Sequence, residues 1–115
     1  MNLATLRVGI ALLTLATAGI HLYLSQTAGI MFVLNGLGYI GLLIALLVKF
    51  PLLAGRERII HYAFMGYTAV TILAWVAIGQ KSLSDPLGPI GYTTKAIELL
   101  LIGALWQHLH RTSPA

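Results

Sequence analysis

Four apolar stretches separated by short polar segments make up most of this 115-residue chain. They cover about residues 4–24, 30–49, 59–79 and 92–108. Each approaches the roughly 20 apolar residues that a helix needs to cross a hydrocarbon core of about 30 Å. Because no stretch alternates strictly between apolar and polar residues, helices are favoured over the strands of a membrane barrel. The pattern predicts an all-α integral membrane protein with four spans in a single domain, residues 1–115.

The segments between the spans are short. They comprise a small polar turn after residue 24, a stop at Phe50-Pro51, and a longer loop over 80–91 that contains two prolines. Short connections make sequential helices antiparallel neighbours. We therefore expect an up-down-up-down four-helix bundle.

Composition agrees with a membrane protein, since 58% of the residues are hydrophobic and only 9% are charged. A soluble domain usually carries about 25% charged residues. Lipid must therefore act as the solvent for much of the surface. The absence of cysteine excludes disulfides and thiolate metal sites.

The pI is near 9.8, which could suggest a nucleic-acid partner. The basic residues, however, lie mostly singly at the ends of the spans, and orientation in a membrane explains that placement better. One side of the predicted bundle carries Arg7, Lys49, Arg56, Arg58 and Arg111, and the other side carries Lys81 and Lys95. Lysine and arginine concentrate on the cytoplasmic side of membrane proteins. We therefore predict that both termini lie in the cytoplasm. The membrane itself is expected to be a prokaryotic inner membrane.

Ionisable side chains at membrane depth are the strongest candidates for a site, because they are costly to bury and need partners. Glu98 is the only carboxylate within a predicted span, and Lys95 precedes it by one turn. His21, Asn35 and Trp75 lie at a similar depth in the other spans. We predict a polar cluster of these five residues in the outer half of the membrane. It either binds a ligand or a proton, or it fixes helix packing through mutual neutralisation of Lys95 and Glu98.

The remaining histidines are predicted to lie near the membrane surface. His61 is expected at the cytoplasmic interface, and His108 and His110 in solvated positions at the end of the fourth span. Because His21 and His61 lie near opposite faces, they cannot both bind one macrocycle. His21 alone can act as an axial ligand of a haem or a chlorophyll-type pigment, and a quinone at an interface is a further possible cofactor.

Helical periodicity assigns an inward face to each span. Threonine and histidine line this face in the first and third spans. The face of the second span carries Gly38, Gly41 and Ala45, and that of the fourth carries Lys95, Glu98, Ile102 and Trp106. Small residues allow helices to approach closely, so we expect these glycines to pack against neighbouring helices.

Three segments together resemble a group of small four-span membrane proteins of prokaryotes that have no assigned function. They are Gly19-Ile20-His21-Leu22-Tyr23-Leu24, Leu34-Asn35-Gly36-Leu37-Gly38-Tyr39 and Gly91-Tyr92-Thr93-Thr94-Lys95. The resemblance implies that His21, Asn35 and Lys95 act together, and it implies no particular chemistry.

No enzyme motif occurs, neither HExxH nor GxSxG nor a phosphate-binding glycine loop nor paired carboxylates, so we predict no catalytic activity. The composition and size favour an accessory subunit of a larger multi-subunit membrane complex, such as a respiratory or photosynthetic one. Its partners would be lipids and either other membrane subunits or copies of itself. The alternatives are a small transporter or channel with the outer-half site, and a pigment-binding or haem-binding protein that uses His21.

Overall fold

The described part of the chain consists of four α-helices and contains no strand. The computed structural model describes residues 2–48, 55–78 and 87–112. The helices are α1 (Leu3–Ala28), α2 (Ile30–Leu47), α3 (Glu57–Ile78) and α4 (Leu87–Thr112). The prediction of an all-α fold is confirmed. Lys49, Lys81 and Asp85 lie outside the described residues.

The link between α1 and α2 is a single residue, Gly29. The sequence predicted a polar turn after residue 24, but α1 continues to Ala28. The reversal takes place at Gly29, whose φ of 89° lies in the region that favours glycine. One glycine is therefore enough to end the first helix and begin the second.

The fourth helix is longer than the predicted span at both ends. It begins at Leu87, so Pro89 lies in its first turn and not in a loop. Proline is tolerated there because the missing N–H would have no partner within the helix. At the other end α4 continues to Thr112. The extra turn brings the C-terminal end of α4 into the bundle.

Contacts near the helix ends establish the relative directions of the helices. The Arg7 guanidinium at the start of α1 donates a hydrogen bond to the Leu47 carbonyl at the end of α2 over 3.3 Å. His61 near the start of α3 contacts His108 near the end of α4. Neighbouring helices are therefore antiparallel. Helix α1 packs most extensively against α2 and then α4, whereas the contact between α2 and α3 is the sparsest of the four neighbouring pairs.

A layer of completely buried apolar side chains fills the middle of the bundle. We call it the apolar layer, and it consists of Ile10, Phe64, Leu101 and Leu105. Many large apolar residues instead point outward, among them Leu12, Leu37, Val70 and Leu100. Within the described residues, three helices are long and apolar enough to cross a membrane, over Leu3–Leu24, Ile30–Leu47 and Glu57–Ala77. Such an outward apolar surface is compatible with a membrane location.

Two glycines of α2 allow close contacts with neighbouring helices. A Cβ on Gly36 would lie 2.8 Å from Leu22 Cγ and 3.1 Å from the Ala18 carbonyl oxygen of α1. A Cβ on Gly38 would lie 2.7 Å from Tyr67 Cζ of α3. Gly41 has open space around it, so the prediction that it packs against a helix is wrong.

Candidate functional site

A single carboxylate, that of Glu98 on α4, joins three helices in the interior of the bundle. Glu98 is completely buried. The Lys95 ammonium nitrogen lies 2.5 Å from Glu98 Oε1. Glu98 Oε2 accepts hydrogen bonds from the Thr17 hydroxyl of α1 over 2.9 Å and from the Tyr39 hydroxyl of α2 over 2.8 Å. We call these four residues the Glu98 centre.

The local sequence explains how the Glu98 centre forms. Lys95 and Glu98 are three residues apart, which places them on the same side of α4. Threonines inside helices usually bond their hydroxyl to a carbonyl one turn earlier, and Thr14 and Thr68 do so. Thr17 directs its hydroxyl across to Glu98 instead. A buried tyrosine hydroxyl needs a hydrogen-bond partner, and Glu98 provides it for Tyr39.

His21 adjoins the Glu98 centre and is buried. Its Nδ1 lies 2.8 Å from the Thr17 carbonyl oxygen, so Nδ1 carries a proton and donates a hydrogen bond to that carbonyl. The ring centroids of Phe32 and Tyr39 lie 5.3 and 5.8 Å from that of His21. These three rings leave no room for a macrocycle between them. A haem or pigment bound to His21 Nε2 would have to approach from another side.

Asn35 lies between α2 and α3 and reaches the Glu98 centre only indirectly. Its Nδ2 faces the Thr71 hydroxyl at 3.4 Å, and its backbone carbonyl accepts a hydrogen bond of 2.7 Å from Tyr67. Thr71 in turn interacts with the Tyr39 hydroxyl. The buried Oδ1 of Asn35 has no hydrogen-bond partner among the described residues.

Trp75 of α3 packs edge-on against Tyr92 of α4, with ring centroids 5.0 Å apart. Tyr92 precedes Lys95 by one helical turn. Of the five residues in the predicted cluster, the structure thus brings Lys95 and Glu98 into direct contact and places His21 beside them. Asn35 is linked through Thr71 and Tyr39, and Trp75 contacts the turn before Lys95.

The predicted cluster omits Thr17 and Tyr39, and the predicted inward face of α4 is partly wrong. Trp106, predicted to face inward, is 51% exposed. The inward face follows Thr94, Glu98, Leu101, Leu105 and His108, which are all buried. A signal for Thr17 was present, since it shares a helix face with His21. For Tyr39, the signal was a hydroxyl group in an otherwise apolar span.

A second buried polar contact lies near the other end of the bundle. His61 Nε2 and His108 Nδ1 are 2.8 Å apart, and we call these two residues the His pair. The exposed fractions are 2% for His61 and 7% for His108. The prediction that His108 is solvated is therefore wrong, because the extended end of α4 packs against α3. His110 is exposed, as predicted.

The apolar layer separates the His pair from the Glu98 centre. Glu98 and His108 are ten residues apart on α4, which corresponds to about 15 Å along the helix. Leu101 and Leu105 lie between them and are completely buried. The described side chains thus form two polar centres with buried apolar side chains of α4 in between.

The model of one protein family matches residues 2–107. The chain belongs to DUF7475, a family of unknown function. No curated protein and no solved structure matches this DUF7475 chain.

Tyr39→Phe is expected to lower the free energy of unfolding by about 1.5 kcal/mol, because it removes a hydrogen bond to a charged group. Reversible unfolding in mixed micelles measures the change. Tyr62→Phe, at an exposed position of α3, is the matched control and should have no effect. Equal stabilities of the two variants would show that the Tyr39 hydroxyl does not support Glu98.

Proposed function

We propose that this DUF7475 protein is an accessory subunit that supports the structure of a larger membrane complex. The observation that carries the proposal is that both oxygens of the Glu98 carboxylate already have partners inside the bundle. Lys95 neutralises Glu98, and both Thr17 and Tyr39 use their hydroxyl protons to bind it. Such a centre holds α1, α2 and α4 together. It does not present a free carboxylate to a substrate.

Exposed glycines support a role in assembly with other membrane helices. Gly19, Gly66 and Gly103 are exposed on α1, α3 and α4 respectively, and a Cβ added at any of them would meet no side chain or other helix within 4 Å. Small residues at such positions allow the helix of another subunit to approach closely. Lipid chains adapt to a surface of any shape, so exposed glycines do not improve the contact with lipid in the same way.

In this proposal α4 is the fourth span, and the termini lie in the cytoplasm of a prokaryotic cell. Lys95 and Glu98 neutralise each other inside the bundle, which reduces the cost of placing α4 in lipid. The antiparallel helices bring Arg7, Arg56, Arg58 and Arg111 to the same end. This asymmetry supports an orientation with that end in the cytoplasm.

An energy-converting complex is the assembly that His21 favours. The Nδ1 proton of His21 is bound to the Thr17 carbonyl, which leaves the Nε2 lone pair for an external partner. Ligating histidines are commonly held in this way by a carbonyl. In the assembly, His21 would complete a haem, pigment or quinone site of a neighbouring subunit.

Purification of the tagged chain in mild detergent, followed by native mass spectrometry and an absorption spectrum, tests the proposal. We expect stoichiometric copurification with larger membrane subunits. Gly103→Leu should reduce this copurification because the added side chain blocks close helix contact, whereas Leu100→Ile at a neighbouring exposed position should not. A colourless homo-oligomer, unaffected by Gly103→Leu, would overturn the proposal.

A small transporter is the second candidate, and the complete burial of Glu98 is the observation that favours it. Carboxylates at membrane depth commonly mark ion or substrate pathways. Purified protein in lipid vesicles would then show cation or proton flux that Glu98→Gln abolishes. Glu57→Gln, at an exposed site, should leave the flux unchanged. The absence of flux from the wild-type protein would exclude this candidate.

A further inference from the structure

We propose that the His pair is a binding site for a soft monovalent metal ion, Cu+, held between His61 Nε2 and His108 Nδ1. The two nitrogens belong to different helices and face each other at 2.8 Å in a buried position. This site is separate from the Glu98 centre, and it does not depend on the proposed accessory function.

Hydrogen bonding fixes His61 in the form that a metal ligand requires. His61 Nδ1 lies 2.7 Å from the Glu57 carbonyl oxygen, so this nitrogen carries the proton. The Nε2 lone pair therefore points at His108. Backbone carbonyls hold metal-binding histidines in the same way, fixing both the tautomer and the ring orientation.

His108 can receive either a proton or a metal ion at Nδ1. With the proton on Nδ1, His108 donates a hydrogen bond to His61. With the proton on Nε2, two lone pairs converge, and a cation between them satisfies both. Binding of Cu+ thus needs only a shift of the His108 proton from Nδ1 to Nε2. Both imidazoles remain neutral and no proton is released.

The charges around the His pair favour a monovalent over a divalent ion. Arg7 of α1 is close enough to act electrostatically on His108. Arg111 and His110 on α4 are exposed. The carboxylate of Glu57 on α3 is exposed too, and its Oε1 faces the Gly55 amide at 3.4 Å. No acidic side chain among the described residues therefore balances the second charge of a divalent ion at the pair.

Apolar residues and a thioether make the surroundings suitable for a soft ion. Leu105 and Leu109, which lie before and after His108 on α4, are both buried. Met65 lies one turn after His61, on the same face of α3, and packs partly buried against the core. Imidazole and thioether groups are ligands that suit Cu+. In this proposal Met65 supplies the third ligand.

Only a small adjustment is needed to admit the ion. Two metal–nitrogen bonds of about 2.0 Å at a three-coordinate centre require nitrogens about 3.5 Å apart. The observed separation is 2.8 Å. Rotation of the two imidazole rings can supply the difference without movement of α3 or α4.

Anaerobic titration of the purified full-length protein with Cu+ against a colorimetric chelator tests this site. We expect one Cu+ per chain. His61→Asn and His108→Asn should each weaken binding by at least about 10- to 100-fold, as the loss of groups that support a metal typically does. His110→Asn, at an exposed position on the same turn, should leave the affinity unchanged. Met65→Leu should weaken binding less than either histidine variant.

A second measurement uses the wild-type protein alone and so does not depend on folding of the variants. Addition of Ag+, a spectroscopically silent analogue of Cu+, should shift the imidazole 15N resonances of His61 and His108 together, and leave those of His110 unchanged. The proposal is overturned if no metal binds, if the histidine variants bind like the wild type, or if the pair takes up only protons.

Discussion

Glu98→Gln is expected to lower the free energy of unfolding by about 3 kcal/mol, because breaking a buried ion pair leaves the other charge without compensation. The charge left behind is the Lys95 ammonium, and the residue Lys95 is only 8% exposed. The Thr17 and Tyr39 hydroxyls also lose their anionic acceptor. Reversible unfolding of the purified protein in mixed micelles measures the loss.

The double variant Lys95→Met/Glu98→Gln is the matched control. It removes both charges, so most of the stability should return, since neutral replacement of a buried pair is often tolerated. If the double variant is as unstable as Glu98→Gln alone, the two charges are not coupled and the Glu98 centre needs another explanation.

Gly38→Ala is expected to destabilise the protein by about 2 kcal/mol, since adding a methyl group to a tightly packed contact forces neighbouring side chains to move. The new Cβ would collide with the Tyr67 ring, whose Cζ lies 2.7 Å from its position. Moving Tyr67 breaks its hydrogen bond of 2.7 Å to the Asn35 carbonyl. The contact between α2 and α3 is already sparse, so its loss should be visible in the unfolding transition.

Gly41→Ala tests the same helix without the collision. Gly41 has open space around it, and alanine is favoured over glycine inside a helix by roughly 0.5–1 kcal/mol. Gly41→Ala should therefore be neutral or slightly stabilising. Similar destabilisation by both substitutions would mean that helix flexibility, and not the contact with Tyr67, makes glycine necessary in α2.

The helical fold was predictable because long apolar stretches leave few alternatives. The helix ends were harder to predict. Small polar residues before Gly29 are compatible with a helix as well as with a turn, and Pro89 fits both a loop and a first helical turn. Local sequence does not distinguish these possibilities, because contacts between helices decide them.

The centre of the candidate site was predictable, but its partners were not. Glu98 and Lys95 stood out because charges at membrane depth are rare. Tyr39 did not stand out, because its position relative to Glu98 depends on how α2 is rotated against α4. The same limitation applies to His108. A shift of one residue in the inward face of α4 moves Trp106 out and His108 in.

The single-residue link at Gly29 has a consequence for the synthesis of the protein. Helix α2 begins directly after α1 ends, and the two helices share the most extensive contact in the bundle. The chain therefore has no linker that would let α1 fold and insert separately from α2. For the proposed membrane location, we expect the first two helices to enter the bilayer as one helical hairpin, joined by their close contact at Gly36.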